Sequence, residues 1–186
     1  MIRPTSHFVF DTSAGFAAIG WGASGISSFR LPAVTRQEVE RALLRRLPDS
    51  TLAEPPEPVR IIVDAARRYF GGERVDFSSV QIDLGKQDPF FLRVYDFVRK
   101  LDWGETTTYG AVAKALDEGP EAARAVGEAM ARNPVPLIIP CHRVMAAGGK
   151  IGGFSAPGGS ASKAHMLELE GAMPAQPGAS QMGFGF

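Results

Sequence analysis

Residues 120–144 read PEAARAVGEAMARNPVPLIIPCHRV, and the fold turns on how this stretch is divided. Pro120 suits the opening of a helix, and the spacing predicts one over 121–132. Ala122, Ala123, Ala125, Gly127 and Ala129 leave that helix a nearly bare surface from which Arg124 projects. A shorter helix is expected over 109–116, with Asp117-Glu118-Gly119 as the break between the two. Two short helices joined by a Gly-containing turn make a helix-turn-helix pattern, which serves DNA binding in some proteins and plain core packing in many others. The small-residue helix lacks the Asn and Gln of major-groove readers, so any contact with DNA should be made through backbone and shape. Asn133-Pro134-Val135-Pro136 ends the helix, Leu137-Ile138-Ile139 reads as a buried strand, and Pro140-Cys141-His142-Arg143-Val144 follows.

Downstream, Gly148-Gly149 and Gly152-Gly153 bracket Lys150-Ile151 as a hairpin or tight loop, and 154–159 is a second loop. Ser160 or Ser162 can start a last helix through Glu170, closed by Gly171; residues 172–186, rich in Gly, Ala, Pro, Ser and Gln, read as a flexible tail. Upstream, Asp88 caps a helix with Pro89 at its first position and Phe90, Phe91, Val94, Phe97, Val98 and Leu101 as its apolar stripe. Residues 7–12, 15–20 and 25–31 form an antiparallel meander by their spacing. Thr35 with Glu38 makes a capping box for a helix to about Leu47. A Pro- and acid-rich connection over 48–58 leads to an amphipathic helix over 58–70, and 77–84 is expected as one more strand. The fold class is therefore α+β. Residues 1–85 form a supporting domain, 86–171 a helical domain with the helix-turn-helix, and 172–186 the tail.

The chain of 186 residues is 45% hydrophobic and 22% charged, the profile of a globular protein. No run approaches the ~18 apolar residues of a membrane helix, and the N-terminus has no signal-peptide pattern. The single cysteine forbids an intrachain disulfide and, with histidines only at 7, 142 and 165, argues against a metal site. The expected compartment is the cytoplasm, with no membrane partner. Net charge is zero, yet between 122 and 165 Arg124, Arg132, Arg143, Lys150 and Lys163 face only Glu128. That excess fits either modest phosphate binding or a solvated charged face.

Cysteine is the best protein nucleophile, but only as thiolate. Cys141 sits between a proline and a His-Arg pair, where a cation favours the thiolate and a histidine can pass its proton onward. A buried inert thiol remains the competing reading. Glu170 is placed against the helix dipole, a mild hint of function. Tyr109 reads as a half-buried core tyrosine and Asn133 as a helix cap.

Taken together, Arg124-Ala125-Val126-Gly127-Glu128-Ala129-Met130, Asn133-Pro134-Val135-Pro136 and Ile139-Pro140-Cys141-His142-Arg143-Val144 closely resemble the O6-alkylguanine-DNA alkyltransferases. The resemblance runs from about Pro89 to Gly171. It implies a ribonuclease-H-like N-terminal domain followed by a winged-helix-like alkyltransferase domain, acting as a monomer on double-stranded DNA containing O6-alkylguanine without cofactor or metal. O4-alkylthymine is a second candidate substrate. Cys141 would be the acceptor, used once; His142, a water and Glu170 would draw off its proton, and Asn133 would brace this relay. Tyr109 would donate to guanine N3, the Val144 carbonyl would accept from the guanine amino group, Ser155 would lie near O6, and Pro136 would line the alkyl side of the pocket. Arg124 would fill the place of the flipped base, with Ala125, Gly127, Arg132 and Arg143 as further DNA contacts. The chain departs from the family in an extra residue between Tyr109 and Arg124, in Ala156-Pro157, and in Phe154 where a tyrosine often stands. A damage-flagging relative without the cysteine, a thiol hydrolase and a structural helix-turn-helix protein are the alternatives.

Overall fold

The structure is a computed structural model that describes residues 4–151 and 159–172. It opens with three antiparallel strands, β1 (Ser6–Thr12), β2 (Gly15–Gly22) and β3 (Gly25–Ala33). Helix α1 (Arg36–Leu44) follows, then the short β4 (Thr51–Leu52) and α2 (Glu57–Phe70). The sheet order is β3-β2-β1-β4, with β4 parallel to β1. β4 falls inside the stretch expected to be only a connection.

Strand alternation assigns each face a helix. Phe10, Ala17, Ile19, Phe29 and Leu31 belong to one core cluster with Val59, Val63, Ala66, Tyr69 and Phe70 of α2. Val9, Ala18 and Ala33 pack on the opposite face with Val39 and Leu43 of α1. The expected cap forms at α1, where the Glu38 N–H donates to Thr35 Oγ1 at 3.1 Å. In α2 the residues at 59, 63, 66 and 70 make the apolar stripe, and Tyr69 lies on its edge, fully buried.

Residues 77–84 do not form the expected strand. Only Ile82 bridges to Ile26, in parallel, flanked by Ile26 N–H to Gln81 O at 2.9 Å and Asp83 N–H to Ile26 O at 2.8 Å. Gly25 permits this approach: its φ is +136°, and a Cβ there would sit 2.6 Å from Gln81 O.

The second half holds α3 (Pro89–Val98), β5 (Thr107–Thr108), α4 (Tyr109–Ala115), α5 (Ala123–Ala131), β6 (Val144–Met145) and α6 (Ser160–Leu169). Asp88 caps α3 as expected, accepting from Phe90 N–H at 2.8 Å. α4 and α5 form the helix pair, joined through Asp117 at φ 59° and a 3-10 turn, Pro120–Ala122, so α5 begins later than its sequence suggests. The run 137–139 is buried but is a turn, not a strand. Asn133 closes it by donating from Nδ2 to Ile139 O at 2.9 Å and accepting Val135 N–H at 3.0 Å, while Leu137 takes φ 78°. Prolines at 134, 136 and 140 deny this segment the donors a ladder needs.

The larger core cluster continues without a break from the sheet through Val94, Val98, Val126, Ile139 and Met166. The Phe29 N–H of β3 donates to Pro134 O at 3.1 Å, so the sheet also holds the turn beyond α5 by backbone. Among the described residues no helix is long and apolar enough to cross a membrane.

Candidate active site

Cys141 opens one turn of 3-10 helix, Cys141–Arg143, between the 137–139 turn and β6. β6 lies parallel to β5, with Thr107 opposite Val144 and Thr108 opposite Met145. Thr108 also caps α4, accepting Ala111 N–H at 3.1 Å, so the pairing places Tyr109, the first residue of α4, beside this turn. Glu170 caps the C-terminus of α6 with its side chain turned inward. The local backbone thus gathers Cys141, His142, Arg143, Tyr109 and Glu170 from three separate segments.

Glu170 is the hub. His142 Nε2 lies 2.7 Å from Oε1 and both side chains are fully buried. Arg143 donates from Nη2 to Oε1 and from Nε to Oε2, each at 2.9 Å, and from Nη1 to Leu101 O at 2.6 Å. Tyr69, reaching in from α2, donates its hydroxyl proton to Oε1 at 2.9 Å. Burial works against the carboxylate, but hydrogen bonds from His142 and Arg143 more than offset it and hold its pKa at about 2. A carboxylate with so many donors is a weak base and does not compete for a proton.

That anion sets the state of His142. With Oε1 as acceptor, Nε2 carries the proton and Nδ1 presents a bare lone pair. Burial lowers the His142 pKa, opposed by Glu170, so the ring is neutral near pH 7. Nδ1 is buried and has no hydrogen-bond partner among the described residues. Cys141 is 5% exposed, and burial raises its pKa while the Asn133 amide and the Lys163 ammonium pull it back. The resting pair is therefore a neutral thiol and a neutral imidazole whose acceptor nitrogen is free. Among the described residues no group of His, Cys, Asp or Glu is arranged to hold a metal ion.

The structure corrects one assignment. Arg143, expected on DNA, is buried, and its guanidinium is committed to Glu170 and Leu101 O. Lys163, counted in the basic excess, is also buried and donates to Val144 O at 2.6 Å and Ile151 O at 2.7 Å. The Val144 carbonyl is thus oriented by a cation. Its Nζ stands 5.8 Å from the centroid of the half-buried Tyr109 ring. Pro136 is buried in the turn preceding Cys141. Arg124 on α5 and Arg132, which caps its C-terminus, are exposed, and a side chain at Gly127 would meet nothing within 4 Å. Arg132 pairs with Glu128 at 2.8 Å, and its carbonyl accepts from Arg46 Nη2 at 3.0 Å. Ser155 lies outside the described residues.

Two participants escaped the sequence reading. Tyr69 sits in an ordinary apolar stripe and nothing local marks it. Lys163 carried a usable sign: with Met166, Leu167 and Glu170 it falls at i, i+3, i+4 and i+7, which puts a lysine and a glutamate on the buried face of α6.

Residues 89–172 match the family model described as 6-O-methylguanine DNA methyltransferase, DNA binding domain. A methylated-DNA–protein-cysteine methyltransferase of Metallosphaera sedula is 47% identical over 105 residues, 56% of this chain and 63% of that protein's length. A DNA base-flipping protein of Thermus thermophilus is 36% identical over 140 residues, which cover 73% of this chain and 92% of that protein. The crystal structure of the Mycobacterium tuberculosis O6-methylguanine methyltransferase superposes with a TM-score of 0.71 at 32% identity, covering 92% of this chain and 96% of that one. The chain belongs to the O6-methylguanine-DNA methyltransferase family. A Mycobacterium tuberculosis OGT structure in complex with DNA matches equally well, with a TM-score of 0.71 at 32% identity over 91% of this chain and 96% of that one. The family model begins at Pro89, so the O6-methylguanine-DNA methyltransferase signature covers Cys141, His142, Arg143 and Glu170 but not Tyr69. Structural similarity extends the match across the N-terminal sheet.

Proposed function

We propose that this protein repairs double-stranded DNA by taking the alkyl group of O6-alkylguanine irreversibly onto Cys141, as a methylated-DNA–protein-cysteine S-methyltransferase consumed in one turnover. The observation that carries this reading is the buried thiol beside an imidazole whose Nε2 is tied to Glu170 and whose Nδ1 is an unused acceptor.

The alkyl carbon cannot be approached in line inside the base stack, so the nucleotide is rotated out into the site. The thiol proton moves to His142 Nδ1 through a bridging water, and Glu170 stabilises the imidazolium that forms. The Cys141 sulfur attacks the alkyl carbon; the S–C bond forms, the C–O6 bond breaks, and its electron pair passes into the purine. A proton returned to the base completes the exchange of thiol and alkoxypurine for thioether and guanine. Tyr109 donates to guanine N3 as charge develops there. The Val144 carbonyl, with Lys163 on one lone pair, keeps the other for the guanine amino group. Asn133 holds the turn that aims Cys141, and Pro136 lines the alkyl side. α5 meets the duplex through its small residues, Ala125 and Gly127, with Arg124 in the vacated stack and Arg132 near phosphate.

The test is a single-turnover incubation with duplex DNA containing O6-methylguanine, followed by intact mass and peptide mapping. One methyl per molecule on Cys141, with guanine restored, is expected. Binding and flipping without mass gain would replace this reading with base flipping alone, as in the name of the Thermus thermophilus relative. Repeated turnover would replace it with a hydrolase.

Arg124→Ala is expected to slow transfer from duplex by roughly 10–100-fold, the few kcal/mol that unstacking costs. Transfer from free O6-benzylguanine should stay near the wild-type rate, and equal losses on both substrates would remove Arg124 from flipping.

A further inference from the structure

We propose that Tyr69 is a positioning residue of alkyl transfer, its hydroxyl fixing the Glu170 carboxylate against His142 Nε2 so that the imidazole keeps Nδ1 as its bare acceptor. The inference rests on the relay proposed above and assigns it a member from outside the segment that the family model matches.

Three observations converge on this hydroxyl. It donates to Glu170 Oε1 at 2.9 Å and lies 3.3 Å from His142 Nε2, so it touches both members of the pair at the atoms they share. Tyr69 is 0% exposed, and its ring is held edge-on by Phe70, Phe77 and Trp103 at centroid distances of 5.1, 6.2 and 5.5 Å. A donor so packed cannot follow the carboxylate if it moves. Glu170 follows the last turn of α6, just before Gly171 at φ 68°, so its carboxylate meets this hydroxyl from a separate element. The packed ring therefore fixes the point at which the hydroxyl meets the carboxylate.

The hydroxyl also remains a donor. Burial and the neighbouring Glu170 raise the Tyr69 pKa well above its ordinary value, so it keeps its proton wherever the protein is folded. An ionised or rotated partner could have turned the His142 ring by accepting from the other nitrogen. A permanent phenol beside an anion has only the carboxylate to serve. Arg143 already serves both carboxylate oxygens and Leu101 O, so the hydroxyl is a further and separate donor to Oε1.

Tyr69→Phe isolates the hydroxyl, since the ring contacts remain. The groups facing His142 are Glu170 and Lys163 from α6, Arg143 and Cys141 from its own turn, and Tyr69 from α2. Without the hydroxyl, Oε1 has one donor fewer and binds the His142 N–H more strongly, which favours the imidazolium. The full chain labelled with 15N-histidine carries only His7, His142 and His165, so His142 can be followed by NMR across pH. Wild type should show the neutral Nε2–H tautomer at pH 7, and Tyr69→Phe a higher titration midpoint with a mixed tautomer signal. Single-turnover transfer from O6-methylguanine duplex should fall about tenfold, the worth of a hydrogen bond to a charged group, with the acid limb of its pH profile moved up. DNA affinity should be unchanged. An unaltered His142 titration, or a rate loss that is the same at every pH and tracks a fall in melting temperature, would overturn the proposal. The NMR result stands apart from catalysis, so a wild-type protein that transfers nothing would sink the repair reading and leave this one decided by the His142 signal.

Discussion

Cys141→Ala is expected to lose alkyl transfer entirely while still binding O6-methylguanine duplex. No second cysteine exists in the chain to take over. A serine in the same place would not rescue it, because a hydroxyl holds its proton far more tightly than a thiol and Glu170 is too weak a base to help. The fold should survive. The side chain is small and 5% exposed, and removing one buried sulfur costs about 1 kcal/mol, a modest share of a domain's stability. Intact mass reads the protein side of the reaction and base analysis of the DNA reads the other. Methyl lost from DNA in the presence of this variant would mean that another group accepts it or that water does, and the assignment of Cys141 would fall.

Arg143→Ala is expected to lower stability by about 3–5 kcal/mol, because it leaves Glu170 a buried, uncompensated anion. Denaturant or thermal unfolding measures this directly. Acid unfolding adds a signature. The Glu170 pKa is depressed in the folded protein, so its pairing stabilises the fold above the ordinary carboxylate range and that support is lost as pH falls toward about 2. In the variant, with two of its hydrogen bonds gone, the loss should begin at higher pH. DNA binding offers the contrast: removing a phosphate contact lowers the salt slope by about 1, which is expected of Arg132→Ala at the exposed C-terminus of α5 and not of Arg143→Ala. A variant that is stable but binds DNA with a reduced salt slope would return Arg143 to the surface.

These two arginines show where sequence reading stopped. The resemblance assigns both to DNA, yet Arg132 faces solvent and Arg143 is enclosed by Leu101 and Glu170. Periodicity reports which side of an element is buried and is silent on which distant group will meet it there. The strands, the caps at Thr35 and Asp88 and the two helices flanking Asp117 were legible because their signals are local. The apolar run 137–139 was misread because hydrophobicity marks burial without distinguishing a strand from a closed turn, and the Asn133 amide that closes it acts six residues away. Gathering Cys141, His142 and Glu170 into one site came from the resemblance of the motif, since nothing in the spacing of 28 residues between His142 and Glu170 says that they touch. Tyr69, 101 residues from its partner, lay beyond any such signal.

That separation bears on when the protein becomes reactive. The carboxylate that orients His142 is carried by the last described helix, and the hydroxyl that steadies it was laid down 101 residues earlier. During synthesis, at about 5–20 residues per second, the thiol is exposed on the growing chain before residue 170 exists to enlist its neighbour. An unassisted cysteine at its ordinary pKa is mostly protonated at neutral pH and reacts slowly. On the proposed mechanism the thiol therefore stays unassisted until residue 170 has been made, and a product ended before that point carries the nucleophile without the carboxylate that orients its neighbour.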